Sequence, residues 1–465
     1  VHVGSAREKE GRTGFAHLFE HLLFLESENL GKGGLDILSA NIGGSGANGS
    51  TSRDRTNYLQ TIPKDALEKM IWAEADKLGW FINTVTDPVL EKEKQVVKNE
   101  KRQSYDNNAY GHTMYVHGKA MYPKDHPYNW EVIGSLEDLD NATLADVKEF
   151  YRKWYVPNNV VLVIAGDINV SQTKEWVKKY FDEIPAGPTI DKMAKRPSLL
   201  NETVKLYHED NFARVPALMY SWPTVERFHS DSYALQVLTK YLTEGKNAPF
   251  YKVLVEENNL TDEIEMFNYD AEIAGETYLN VTAYPGFSLD QVADVIEEAF
   301  ERFEKEGISE NDLNRIKAQQ EVEFYESLSD VLGKSETLAE YYYLKGNPGY
   351  VTRDIQQMMS VTKADVIKVY NTYFKNKPYV ATSFVPKGQL DLMITGSQMA
   401  EVVEEPIVEG AEEDFDASQE VAYEKTPSKI KRDVEPPYGE KFTVKTPKIE
   451  EAKFNNGLQI MAIEN

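Results

Sequence analysis

The stretch Thr143-Leu144-Ala145-Asp146-Val147-Lys148-Glu149-Phe150-Tyr151 returns as Thr362-Lys363-Ala364-Asp365-Val366-Ile367-Lys368-Val369-Tyr370, at a constant offset of 219. This duplication limits the fold more than any other feature. Each Thr is placed to cap a helix N-terminus, and each helix is followed by an aromatic pair (Trp154-Tyr155, Tyr373-Phe374), a proline and a β-rich run, Val160 to Ala165 or Tyr379 to Val385. Two similar units in tandem are implied, the first over residues 1–166 and the second over 167–387. Helical patterns at Pro63 to Phe81, Pro88 to Tyr105, Ser288 to Glu306 and Ser309 to Ser327 alternate with strand-like stretches at Thr51 to Thr61, Ala217 to Trp222 and Glu276 to Ala283. The fold class expected is α+β, each unit a sheet with helices packed on it.

After Lys387 the composition changes. Ten acids and no Lys or Arg fall between Glu401 and Glu424, leaving −15 of the formal −25 for the rest. Residues 388–453 are therefore expected to form a solvated acidic linker. Phe454 to Ile463, within 454–465, reads as the opening strand of a further homologous unit, so the sequence is expected to be part of a longer protein. The acidic balance excludes a general nucleic-acid binder. The absence of cysteine excludes disulfides, thiolate ligands and a cysteine nucleophile. The longest apolar run, Val160 to Ala165, is far short of the roughly 18 residues that cross a bilayer, so no membrane span is expected. The opening Val1-His2-Val3-Gly4-Ser5 shows no signal-peptide pattern. The compartment stays open, with the bacterial periplasm and the cytoplasm both compatible.

One segment commits to a reaction. In His17-Leu18-Phe19-Glu20-His21, positions 17 and 21 are separated by about 400° on a helix, so both imidazoles share one face with Glu20 beside them. A zinc ion held by two histidines lowers the pKa of a bound water towards 7, and a neighbouring carboxylate can take its proton. The plain alternative is a surface helix carrying these residues by chance.

H-x-x-E-H is the inverted zincin motif, and the chain resembles the pitrilysin and insulysin family of zinc peptidases, to which mitochondrial processing peptidase is related. The resemblance takes in Gly4 to Glu8, Gly14-Phe15-Ala16, Leu22-Leu23-Phe24, the segment Asn48 to Tyr58, and Tyr155-Val156-Pro157-Asn158-Asn159 running into Val161 to Asp167. It implies one zinc ion per catalytic domain, held by His17, His21 and a glutamate on a later helix, with Glu20 as general base. Glu93 and Glu100 follow Pro88 and lie about 700° apart, on one helix face. The family's order assigns Glu100 as ligand and Glu93 as its supporting carboxylate, and the reverse assignment stays open. Glu91 faces the other way.

The same resemblance implies that substrate peptide pairs with an edge strand beginning near Asn48, with Asn48, Gly49 and Ser50 in contact. Ser50 stands where the family has an aromatic residue. Phe24 is either pocket-lining or core. Gly43 to Gly49 contains a G-x-G-x-x-G pattern, read as a loop entering the substrate strand because no buried strand precedes it and no helix follows. His112, His117 and His126 are expected in surface or packing roles, and His2, His208 and His229 show no partner pattern.

The function expected is a zinc-dependent metalloendopeptidase acting on unfolded peptides or short polypeptides. A second homologous half, fused or separate, would close the chamber. The rival readings are a non-catalytic structural or binding homologue and a peptidase that processes targeting peptides.

Overall fold

The computed structural model describes residues 1–409, 421–443 and 446–463. The chain forms two α/β units in tandem.

In unit 2 the strand signals resolve into one mixed sheet. Its strands are β3 (Val204–Asp210), β4 (Ala217–Thr224), β5 (Glu263–Asp270), β6 (Gly275–Thr282), β7 (Val380–Pro386) and β8 (Gln398–Met399), in the order β8-β3-β7-β4-β6-β5. Every residue of β7 is buried, as its central place requires. Leu218, Leu279 and Ala381 from the sheet meet Leu238, Ile296, Phe303, Ile316 and Tyr370 from the covering helices, and these form the largest core.

Unit 1 repeats the order of this plan over a hairpin and four helices. Its hairpin is β1 (Ser45–Thr51) and β2 (Thr56–Thr61); Asn48 faces Leu59 there, and 219 residues on Phe267 faces Tyr278. Helix α1 (Phe15–Leu25) corresponds to Ser230–Thr243, and α2 (Leu67–Gly79) to Leu289–Glu306. Likewise α3 (Asp87–Lys101) corresponds to Glu310–Ser327 and α4 (Leu144–Trp154) to Lys363–Tyr373. Thr143 with Asp146 and Thr362 with Asp365 form matching capping boxes.

Three expectations need correction. Thr51 to Thr61 is two strand segments around a turn at 52–55, because the hairpin reverses there. Strand β1 begins at Ser45, so the glycine-rich stretch is largely strand rather than loop. Val160 to Ala165 is not a strand. Its counterpart β7 is flanked by β3 and β4, whereas no strand among the described residues pairs with 160–165. An apolar run without a ladder partner stays irregular. It lines, with Thr56 to Ile62, a cleft of about 660 Å³.

Residues 388–453 also depart from a solvated linker. Met399 extends the sheet edge beside Tyr207, and Glu405 pairs with Arg102 at 2.8 Å. Glu412, Glu413, Asp414, Asp416 and Glu420 lie outside the described residues. Beyond them the chain runs as a strap along unit 1. Thr426 binds Glu28, and Trp72 Nε1 donates to the Arg432 carbonyl at 3.1 Å. The Arg432 guanidinium stacks 3.2 Å from the Trp80 ring centroid and donates to the Tyr180 carbonyl at 2.5 Å. A strap of polar composition is thus held by a few well-placed side chains rather than by an apolar stripe. The strap leads to a hairpin of β9 (Ile449–Lys453) and β10 (Gln459–Ile463), whose strand residues are all exposed.

The two units meet around one buried carboxylate. Glu276 of unit 2, fully buried, accepts from Arg53 and Tyr122 at 2.5 Å and also bonds His117 and Tyr278. Neighbouring Asp54 accepts from Tyr128 at 2.7 Å and from the Glu272 amide at 2.8 Å. The 52–55 turn of unit 1 is therefore gripped by unit 2.

Candidate metal centre

Helix α1 carries two faces. Phe15, Leu18, Phe19 and Leu22 are buried in the unit 1 core, leaving His17, Glu20, His21 and Phe24 outside that buried stripe. Its N-terminus is fixed by Glu8, which accepts from the Gly14 amide at 3.0 Å and the Ala16 amide at 2.8 Å. Gly14 has φ +86, and a Cβ there would lie 2.7 Å from the Ile133 carbonyl, so only glycine allows this entry.

Helix α3 opens with a proline in its first turn and buries Leu90, Glu93 and Val97. A π-helical turn over Arg102–Asp106 follows directly after its end. Glu91 lies on the outer side, paired with Lys94 at 2.8 Å.

These helices bring His17, His21 and Glu100 together, with one ligand atom of each within 4.8 Å of the others. His21 Nε2 is 3.2 Å from Glu100 Oε2, and His17 Nε2 is 3.8 Å from Glu100 Oε1. Glu93 sits on the other side of the ring, its Oε1 2.9 Å from His21 Nδ1. Burial lowers the His17 pKa to about 4. Burial also pulls on His21, but hydrogen bonds to Glu100 and Glu93 outweigh it and hold that pKa up at about 9. The bond from His21 holds Glu100 below the usual carboxylate range against the effect of burial. Two neutral-capable imidazole nitrogens and a half-exposed carboxylate match the donor set of a catalytic zinc site, two histidines and a glutamate with an open position. The buried His17 Nδ1 has no hydrogen-bond partner among the described residues.

Glu20 is half-buried, and burial raises its pKa while the hydrogen bond from Thr51 opposes the rise. Thr51 Oγ1 donates to Glu20 Oε2 at 2.6 Å. Gly49 lies over the same carboxylate: a Cβ there would be 2.9 Å from Glu20 Cγ and 3.1 Å from the Phe24 ring. Phe24 is half-buried, 5.7 Å from the Tyr58 ring, with Lys77 Nζ 5.0 Å above it. It therefore contacts both the small core against α2 and the floor of the site. Asn48 and Ser50 are exposed on the opposite face of β1. Asn48 Oδ1 accepts from the Gly49 amide at 2.9 Å, and Ser50 Oγ donates to Asn57 Oδ1 at 2.7 Å.

Sequence reasoning missed Thr51 and Arg53. Strand alternation from Gly49 places Thr51 on the α1 face, so the Glu20 contact had a signal; the Arg53 contact, 223 residues distant, had none. Among the other histidines, His112, His117 and His126 are buried rather than on the surface. His2 pairs with Glu272 at 2.7 Å and His208 with Glu404 at 3.1 Å. His229 accepts from the Asp231 amide, capping a helix.

At the offset of 219, His17, Glu20, His21 and Glu100 correspond to Gln236, Thr239, Lys240 and Gln319. Unit 2 has the scaffold of the site without its donors.

No helix among the described residues is long and apolar enough to cross a membrane. The family described as insulinase, peptidase family M16, matches residues 1–125, and the peptidase M16 inactive domain matches residues 141–320. The zinc protease PqqE of Helicobacter pylori is 30% identical over 386 residues, covering 80% of this chain and 84% of that protein. A crystal structure of a protease from Helicobacter pylori superposes with a TM-score of 0.76 at 26% identity, covering 83% of this chain and 92% of that one. The periplasmic protease PqqL of Escherichia coli shares the fold at a TM-score of 0.68 and 18% identity, all of this chain matching 52% of that one. With one unit carrying the donor set, the other lacking it, and matches along most of its length, the chain belongs to the insulinase family of peptidases, family M16.

Proposed function

We propose that this chain is the catalytic half of a zinc-dependent metalloendopeptidase that cleaves unfolded peptides. The observation that carries the reading is the convergence of His17, His21 and Glu100 within 4.8 Å, with Glu20 on the same helix face. Zinc, when bound by these three residues, supplies an acidified water and polarises the scissile carbonyl. Glu20 takes the proton of the attacking water and delivers it to the leaving amine. Thr51 holds Glu20 Oε2, which leaves Oε1 to accept that proton. Glu93 fixes the His21 ring through Nδ1 so that Nε2 faces the ligand position. Peptide lies extended along β1, whose inner edge is already paired to β2. A second homologous half closes the chamber, a reading supported by the match of this chain to about half of PqqL.

Elemental analysis and hydrolysis of an internally quenched peptide test this together. About one zinc per chain is expected, with cleavage abolished by chelation and by Glu20→Gln. Absence of zinc after supplementation, or cleavage indifferent to Glu20→Gln, overturns the reading. Adding the other half is expected to raise the rate.

A further inference from the structure

Arg55 stands two residues from Arg53 and is treated very differently by the fold. Arg53 is paired to the buried Glu276. Arg55, half-buried at the end of the 52–55 turn, has no carboxylate within 4.0 Å among the described residues, on a chain with 76 acids against 51 bases. Among the described residues its guanidinium hydrogen-bonds neutral groups: Nη1 donates to the Ser50 carbonyl at 2.8 Å and to Ser50 Oγ at 2.7 Å. The Ser50 amide in turn donates to Asn57 Oδ1 at 3.0 Å.

The backbone groups of Ser50 are thus held by two side chains reaching across from the turn and β2. Ser50 itself is exposed, on the face of β1 opposite Glu20. A guanidinium that is partly desolvated, held in place and unpaired is a strong receptor for a carboxylate, which it can bind through two parallel hydrogen bonds. Ser50 presents only a hydroxymethyl group between that guanidinium and the strand edge.

We propose that Arg55 is a specificity-determining residue that takes a carboxylate of the bound peptide, supplied by the residue lying alongside Ser50. This rests on the reading that peptide lies along β1. Docking a strand there competes for the Ser50 carbonyl, which frees the Arg55 fork to turn to the peptide. The chain as a whole is acidic, so the preference is local and runs against its net charge. A peptide rich in acids is disfavoured at long range and favoured at one position.

The test uses end-blocked fluorescent peptides that differ only by Glu, Gln or Lys at successive positions. Dissociation constants are measured on the zinc-loaded Glu20→Gln protein, and kcat/KM on the unmodified protein. At one position Glu is expected to bind about 10-fold more tightly than Gln, a factor typical of a charge-assisted pair. Arg55→Gln removes the difference, Arg55→Lys keeps part of it, and Arg55→Glu turns the preference to Lys. Thermal melting of each variant checks folding. Peptides with a free C-terminus separate a terminal carboxylate from a side chain: discrimination confined to them assigns the terminal group. Position preferences unchanged by Arg55→Glu overturn the proposal, as does absence of peptide binding. Binding that discriminates without hydrolysis leaves the inference standing and refutes the peptidase reading, whereas hydrolysis without discrimination does the reverse.

Discussion

His21 is held from both sides: Glu93 Oε1 lies 2.9 Å from its Nδ1, and Glu100 Oε2 lies 3.2 Å from its Nε2. The two glutamates thus reach different nitrogens of one ring although they share a helix face, and the proposed function gives them different roles. Glu100→Gln is expected to abolish zinc retention on desalting. Glu93→Gln is expected to keep the metal at saturation and weaken its affinity by about 10- to 100-fold, the usual cost of losing a carboxylate behind a histidine ligand. Competition with a chromogenic chelator reads both, and equal losses would contradict the assignment.

On the function proposed above, Glu20 moves a proton and does not hold metal. Glu20→Gln should therefore leave zinc content unchanged while lowering kcat by about 100-fold or more. Loss of zinc in parallel with activity would place Glu20 among the ligands.

Gly49 leaves no room above that carboxylate. Gly49→Val adds atoms where a Cβ alone meets Glu20 Oε1 at 3.0 Å. We expect zinc content to be retained and kcat to fall by about 10-fold or more, because a displacement of an ångström at a reacting group has costs of that order. Unaltered kcat would mean that Glu20 can shift without consequence.

The buried carboxylate between the units predicts a stability effect far from the metal. Glu276→Ala leaves the Arg53 charge buried without a partner, and the expected loss is about 3–5 kcal/mol. Calorimetry should show the melting of both units shifted downward. A shift confined to one transition would show that the units melt independently.

Burial raises the Glu131 pKa to about 7, and its buried Oε1 has no hydrogen-bond partner among the described residues. A carboxyl whose folded pKa is raised contributes stability that is lost as pH rises, here between the ordinary carboxyl value and about 7. Glu131→Gln should therefore raise the melting temperature at pH 8 by more than at pH 5, with a gain at pH 8 on the order of 1 kcal/mol. An equal change at both values would remove the role of its ionisation.

Much of this site was legible because helical spacing turns sequence into a face without tertiary information. His17 with His21, and Glu93 with Glu100, needed only the pitch of a helix. Ranking the two glutamates needed more than pitch, since the choice depends on which nitrogen of His21 each one reaches. The Val160 to Ala165 run misled because strand propensity describes a residue's preference, whereas a strand also requires a neighbour. The acidic composition after Lys387 misled for another reason: Arg432, Thr426 and Tyr423 fasten the strap one by one and leave no periodic trace. The Arg53 to Glu276 pair joins residues far apart in sequence, and nothing in either local sequence names the other.

The strap has a topological consequence. The chain leaves unit 1, builds unit 2 and returns to unit 1, where Trp72 binds Arg432 across 360 residues. The polypeptide is thereby closed into a ring in everything but covalent bonds. The connection at 186–192 includes exposed Asp191 and Lys192, where that ring can be cut. A single cut there would leave both fragments assembled under native conditions, with the strap and the Glu276 cluster as clasps, and separation would require denaturant. The same loop is the natural position for new termini in a circular permutant.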